Sequence, residues 1–445
     1  MKVLELNELG EVIRKERKKR GLRLEDLADE NISPATISNI ERGVAHVRYE
    51  KAHYLLDKLD LKMEDLPTLL LQERDHLSEL QRQSRIIETM VIAGKFHQAQ
   101  ELLDSIETED KHPLAATFHF HRGQVQISRQ NWRQAETALH QAIHFASTAN
   151  VKSNIEAAAF QALGYVHYQQ NDLERALKFT ESGLAAYDPQ GERTQVYFGL
   201  QRNKAIYLER LGRVAESMRL VQDIWDQLPQ CMDTEAKLTF YWLRAELSRR
   251  LGMYEEALDY AYAGEDLARQ NKSHFSMFTF WTVLGDVYMR INQLEQAESC
   301  FQTALSLRDK LNETQQKSLN TAYARFAILQ MQQDHVSEAL ELIDQAIESA
   351  KEHQDEPRLV QSLTIKGNIL KEKGKKREAV EWYQKALTLA QKHQDKKREV
   401  RLLFRLAECF EELDEQEFER VSRNMYQAQK RLDEERSLLD EEDDL

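Results

Sequence analysis

Apolar positions along this chain fall three and four residues apart almost throughout, and alternation at every second position is nearly absent, so the pattern predicts helices and no sheet. Within the first sixty residues Leu6, Leu9, Ile13, Leu22, Leu24, Leu27, Ile32, Ile37, Ile40, Leu55, Leu56 and Leu59 form short helical registers, broken at Gly21, at Ser33-Pro34 and at Gly43. Four or five short helices are expected there. Ser33 followed by Pro34 reads as an N-cap with proline at the first helical position, which predicts a helix over Pro34 to Glu41. From about residue 77 the pattern repeats itself. A small residue recurs at Ala99, Ala135, Ala176, Ser217, Ala257, Ala297, Ala339 and Ala379, at intervals of 36, 41, 41, 40, 40, 42 and 40 residues. The best-formed unit, 278–310, carries Gly285, Tyr288, Asn292, Leu294, Ala297, Phe301 and Ala304. Small residues let two antiparallel helices approach, aromatic residues fill the gap to the next pair, and each pair gains its core only by stacking.

This periodicity divides the chain. Residues 1–67 form a small domain of short helices, and 68–93 form a stiff linker helix that also supplies the first repeat helix. Eight repeats occupy 77–397, a degenerate ninth pair caps them over 398–439, and 440–445 is expected to be a disordered acidic tail. A period near 40 calls for longer helices, or longer connections, than the usual 34-residue helical repeat.

Composition sharpens this reading. Six prolines, fifteen glycines and a charged fraction of 31% favour an almost wholly helical protein. The net charge of −14 is unevenly placed: residues 1–67 hold 13 Lys/Arg against 14 Asp/Glu, leaving −13 for the rest. Arg14, Lys15, Arg17, Lys18, Lys19, Arg20 and Arg23 crowd together with Glu16 as the single acid among them. Cys231, Cys300 and Cys409 lie far apart with no CxxC or Cys/His spacing, which fits a reducing compartment and excludes a disulfide framework. No stretch approaches ~18 uninterrupted apolar residues, so the expectation is a cytoplasmic chain with no membrane partner.

The segment RKERKKRGLRLEDLADENISPATISNIERG resembles the helix-turn-helix of the lambda-repressor-like, or XRE, superfamily, most specifically over Thr36-Ile37-Ser38-Asn39-Ile40-Glu41-Arg42-Gly43. The resemblance implies a recognition helix over SPATISNIE whose start enters the major groove. Ser33, Pro34, Ala35, Thr36, Ser38 and Asn39 are then the DNA-facing candidates, with Ile37 and Ile40 packing inward. Leu24 stands where many members carry a phosphate-gripping Gln, and Arg23, Arg42 and Arg48 are the candidates to replace that grip.

The repeats resemble tetratricopeptide repeats, so the expected fold class is all-α: a lambda-repressor-like helix-turn-helix domain followed by a right-handed tetratricopeptide-repeat superhelix. Such arrays bind extended ligands along a concave side lined by first helices. That mapping makes Gln161, Tyr168, Arg202, Asn203, Trp242, Glu246, Asp286, Arg290, Arg325 and Asn368 the peptide-binding candidates. Amide side chains offer both donor and acceptor, and Arg forks hold carboxylates. Asn203 and Asn368 are expected on the open groove, holding peptide backbone.

No phosphate loop, nucleophile elbow or zinc-protease motif occurs, and no enzyme or cofactor is read here. His140 and His144 sit four apart, and His119 and His121 lie nearby, but no acidic or cysteine partner stands at ligand spacing, so a metal site is set aside. In architecture the chain resembles the RNPP-type quorum-sensing regulators (the Rap, NprR, PlcR and PrgX group), with NprR the most similar in length and repeat number. The resemblance implies a homodimer or higher homo-oligomer that binds a double-stranded DNA operator and a short signalling peptide, and it allows a response regulator as a further partner. The alternative is a protein-interaction scaffold, or a Rap-like response-regulator antagonist, whose DNA head is vestigial; Leu24 and the near-neutral head favour that version.

Overall fold

The structure, a computed structural model, describes residues 6–41, 49–62, 66–106, 112–148 and 153–443. It forms two compact units, Met1–Val196 and Tyr197–Leu445. The described residues contain helices and turns and no strand, with one isolated bridge between Asp29 and Ile32.

The first unit opens with four short helices: α1 (Leu6–Lys19), α2 (Leu24–Leu27), α3 (Pro34–Glu41) and α4 (Tyr49–Lys58). Their apolar faces converge on one small core of Val12, Ile13, Leu27, Ile32, Ile37, Ile40, Ala52, Leu55, Leu56 and Leu59, with Leu24 at its margin. Leu24 therefore packs where the superfamily pattern has a polar residue. α5 (Leu66–Ile92) follows as one unbroken helix of 27 residues, starting slightly earlier than the pattern predicts, and α1 packs against it. It serves as both linker and first repeat helix. Pairing continues with α6 (Phe96–Ser105), α7 (Ala115–Ser128) with α8 (Trp132–Thr148), and α9 (Ile155–Gln169) with α10 (Leu173–Ala186).

The second unit begins within α11 (Gln195–Arg210), whose partner is α12 (Val214–Trp225), and continues through α13 (Thr234–Arg250) with α14 (Tyr254–Gln270) and α15 (His274–Arg290) with α16 (Leu294–Ser306). After the one-turn α17 (Glu313–Gln316) come α18 (Leu319–Gln332) with α19 (Val336–Glu352), α20 (Glu356–Glu372) with α21 (Lys376–Lys392), and α22 (Lys396–Phe410) with α23 (Glu415–Asp443). The long period has a simple source: α13, α14, α15, α19, α20 and α21 each run 17 residues, and connections such as 251–253 take three. Within the acidic tail expected at 440–445, α23 continues to Asp443, and 444–445 lie outside the described residues.

Each of the eight recurring small residues is the fourth residue of its second helix, and all eight are fully buried. Twelve positions earlier, on the first helix, stand Gly285 and Gly367 among others. A Cβ at Gly285 would sit 2.9 Å from the Phe301 ring, and one at Gly367 would sit 2.4 Å from the Tyr383 ring. The aromatic ring of the second helix thus lies against the backbone of the first. First and second helices differ in how they are covered. α15 buries residues around most of its circumference, from Phe278 and Phe280 to Val287 and Met289, whereas α14 buries one stripe, Ala257, Ala261, Gly264, Glu265 and Ala268. Successive first helices of the second unit pack on one another (α13 on α15, α15 on α18, α18 on α20), while among the described residues no two successive second helices pack as closely. First helices therefore line the inner side of this unit.

Candidate DNA-contacting helix and ligand face

The start of α3 is fixed locally. Ser33 Oγ accepts from the Thr36 N–H at 3.2 Å and lies 2.9 Å from Thr36 Oγ1, and Pro34 supplies the preset first helical residue. Ile37 and Ile40 are fully buried, which leaves Ser33, Pro34 and Ala35 exposed and Thr36, Ser38 and Asn39 half-buried on the outward side. The turn before α3 is held by Asp29: its Oδ1 accepts from the N–H groups of Asn31 (2.8 Å) and Ile32 (3.1 Å), and its Oδ2 pairs with Lys58 and Tyr54, both at 2.5 Å. The Lys58 and Tyr54 bonds hold the Asp29 carboxyl well below the usual carboxylate range. Arg23 is exposed at the N-cap of α2, where its N–H donates to Asp26 Oδ2 at 2.7 Å. Arg42 and Arg48 lie outside the described residues.

One residue of the basic run has a structural role the sequence did not reveal. Arg17 forks onto Glu41, Nε to Oε1 at 2.6 Å and Nη2 to Oε2 at 3.0 Å, while its Nη1 donates to the Leu22 carbonyl at 2.7 Å. The bond to Glu41 raises the Arg17 pKa above its ordinary value. The last residue of α3 is thereby tied to α1.

On the inner side of the second unit the structure brings together Glu246 and Asp286 with arginines of two first helices, α13 and α18. Arg249 contacts Glu246 at 2.7 Å and Asp286 at 2.5 Å, Arg250 reaches Glu246 at 3.1 Å and also pairs with Glu209, and Arg325 reaches Glu246 from α18 at 3.3 Å. Burial pushes the Glu246 carboxyl up, but Arg325, Arg249 and Arg250 outweigh it and hold the group well below the usual range. Glu246 and Asp286 were expected as groove residues; both are buried and paired within the chain, because a carboxylate that loses water needs cations at contact distance. Asn203 departs from expectation in the same way. It is 7% exposed, and its Oδ1 accepts from Arg202 at 3.3 Å. Asn368 is half-buried and accepts the Tyr383 hydroxyl at 2.8 Å. Trp242 is half-buried between two core clusters, Arg290 is exposed at the end of α15, and in the first unit Gln161 and Tyr168 are half-buried on α9.

Glu209 and Arg250 were missed. A signal existed: Arg210, Arg250 and Arg290 are spaced by the repeat period and each ends a first helix, where a cation is favoured by the helix dipole. His119 stacks on Phe145, His140 and His144 meet Phe179 and Phe145 edge-on, and no metal-competent cluster occurs among the described residues. A surface cleft of about 350 Å³ between α11 and α12, lined by Gln201, Lys204, Glu216 and Arg219, lies on a different face of α11 from Arg202 and Glu209.

The chain is an all-α protein that joins a helix-turn-helix head to tetratricopeptide-like repeats. A helix-turn-helix family profile matches residues 13–66, a tetratricopeptide repeat profile matches 278–311 and 360–393, and the profile of anaphase-promoting complex subunit 5 matches 119–184. No curated protein matches the chain. Among solved structures it is similar to apo NprR, a quorum sensor from B. thuringiensis, at TM-score 0.57 and 16% identity over 79% of this chain and 99% of that one. A Rap protein complexed with Competence and Sporulation Factor gives 0.55 and 17% over 80% and 99%, and apo RapI gives 0.53 and 12% over 80% and 98%. The resemblance to the Rap and NprR group therefore holds at the level of fold.

Proposed function

We propose that the chain is a peptide-responsive, DNA-binding transcriptional regulator of quorum-sensing type. The observation that carries this reading is the capped, outward-facing start of α3 in a head whose last element leads into one continuous helix, α5, that is itself the first helix of the repeats. Support comes from the helix-turn-helix match and from a fold shared with the quorum sensor NprR and with Rap bound to Competence and Sporulation Factor. In this reading Ser33 to Asn39 meet base edges, the repeats bind a short peptide on their inner side, and the working form is a cytoplasmic homodimer that engages a two-fold operator. A ligand shifts DNA binding only by the difference between its affinities for two forms of the protein.

The second reading, a response-regulator antagonist with a vestigial head, draws on the comparable likeness to Rap and RapI and on the apolar packing of Leu24. Fluorescence anisotropy on operator-selected duplexes separates them, run with and without peptides recovered by selection on the protein. Sequence-preferring DNA binding that changes with peptide supports the regulator; salt-sensitive binding with no sequence preference favours the antagonist.

A further inference from the structure

The charges of the second unit are sorted between its two sets of helices. Its first helices (α11, α13, α15, α18, α20, α22) carry 17 Lys/Arg against 8 Asp/Glu, while its second helices (α12, α14, α16, α19, α21, α23) carry 12 against 26. The charge balance of an acidic chain is thus reversed on its first helices. Depth sorts the charges again. Glu209, Glu246 and Asp286 are buried at 3%, 2% and 3%, whereas the Arg202, Arg250 and Arg325 side chains keep 25%, 36% and 19% of their surface, and Arg290 is exposed. A ligand reaching this network meets the guanidinium groups of Arg250, Arg290 and Arg325 before it meets Glu209, Glu246 or Asp286.

Two features select the ligand. Arg325 reaches past α15 to Glu246, 79 residues away, through a single bond of 3.3 Å, so the chain's own carboxylate already meets this guanidinium without filling its fork. Glu209 Oε2 is buried with no hydrogen-bond partner, its ion pair with Arg210 Nε standing at 3.7 Å, a shortfall that an N–H donor brought to this face would lessen. A peptide backbone carries N–H groups; a nucleic-acid backbone carries none.

We propose that the inner side of the second unit binds an acidic linear peptide, one of whose carboxylates takes the place of Glu246 at Arg325. This rests on the peptide-binding reading above and adds to it the ligand's charge and an internal competitor. Arg–carboxylate forks are strong, directional and sensitive to salt. Weakening the competitor with Glu246→Gln therefore tightens ligand binding, while Arg325→Gln and Arg290→Gln weaken it.

The test uses the full chain and fluorescein-labelled heptapeptide pools of random sequence that differ only in two fixed positions, filled with Glu, Lys or Ser. The expected result is anisotropy binding of the Glu pool at least about tenfold tighter than of the others, lost progressively as salt rises. Arg290→Gln and Arg325→Gln each weaken it about tenfold, and Glu246→Gln tightens it several-fold, with circular dichroism unchanged. Arg290 is exposed, so its variant tests the charge without disturbing the buried network. Equal or tighter binding of the Lys or Ser pool keeps the peptide reading and overturns the acidic ligand. Binding of no pool removes both. Displacement of the Glu pool by an equal concentration of single-stranded oligothymidylate overturns the proposal in favour of a nucleic-acid ligand, and an unchanged affinity in Arg290→Gln overturns it as well.

Discussion

Replacing Arg17 by Met should open α3 without disturbing the repeats. Arg17 and Glu41 retain 12% and 7% of their side-chain exposure and share a two-point fork. Removing the arginine leaves the Glu41 carboxylate buried without its cation and frees the Leu22 carbonyl that Arg17 Nη1 holds. Loss of one partner from a buried pair costs roughly 3–5 kcal/mol. The residual exposure here places the cost near the lower end, about 3 kcal/mol, which corresponds to a roughly hundredfold faster opening of α3 at about 1.4 kcal/mol per decade. Hydrogen exchange followed by mass spectrometry on peptides spanning 34–41 reads that opening directly. All five tryptophans lie in the repeats, so their fluorescence on unfolding provides an independent control that should not move. The double variant Arg17→Met with Glu41→Leu should recover most of the lost protection, since no charge is then left buried. Exchange in Arg17→Met within threefold of wild type, or a double variant no better protected than the single one, would show that the fork does not hold α3 on α1.

Thr36→Ala and Asn39→Ala should each relax base preference by roughly 1–3 kcal/mol per lost contact, read as broadened operator selection, and unchanged footprints would remove α3 from the groove. Gly367→Ala should destabilise the second unit by about 1–3 kcal/mol, because its Cβ meets the Tyr383 ring at 2.4 Å; calorimetry of an unshifted melting temperature would contradict that packing. The low-held Glu246 carboxyl contributes stability that is fully present above the ordinary Glu value of about 4.3 and is lost as pH falls below it. Glu246→Gln should therefore flatten the fall in melting temperature between about pH 5 and pH 3, and an unaltered acid profile would count against the network. Burial pushes the Cys300 thiol up to about 12, so a thiol reagent at pH 8 should label it only on unfolding; rapid labelling of the native chain would contradict the packing around α16.

Local physics was legible in the sequence. The Ser33-Pro34 cap set the start of α3, and Pro34 to Glu41 is the helix observed, because capping and proline geometry act within a few residues. The eight small residues from Ala99 to Ala379 were legible for a related reason: every pair repeats one close approach, so one steric requirement recurs at one spacing and ends in complete burial. The breaks at Gly21 and Ser33-Pro34 followed too, Gly43 lying outside the described residues, and helices of 17 residues account for the period near 40.

Tertiary structure alone decided where charge ends up. Arg17 looked like one more member of a solvated basic run, and its partner Glu41 lies 24 residues away on another helix. Asn203, Glu246 and Asp286 carried the register of groove residues, but a register names a helix face without saying how deeply the neighbouring helices cover it. That depth depends on how successive first helices pack against one another, and this packing brings Arg325 of α18 to Glu246 of α13. Helix periodicity is a property of a segment and is written in it, whereas the burial and pairing of a charge is a property of surfaces that meet only after the pairs have stacked.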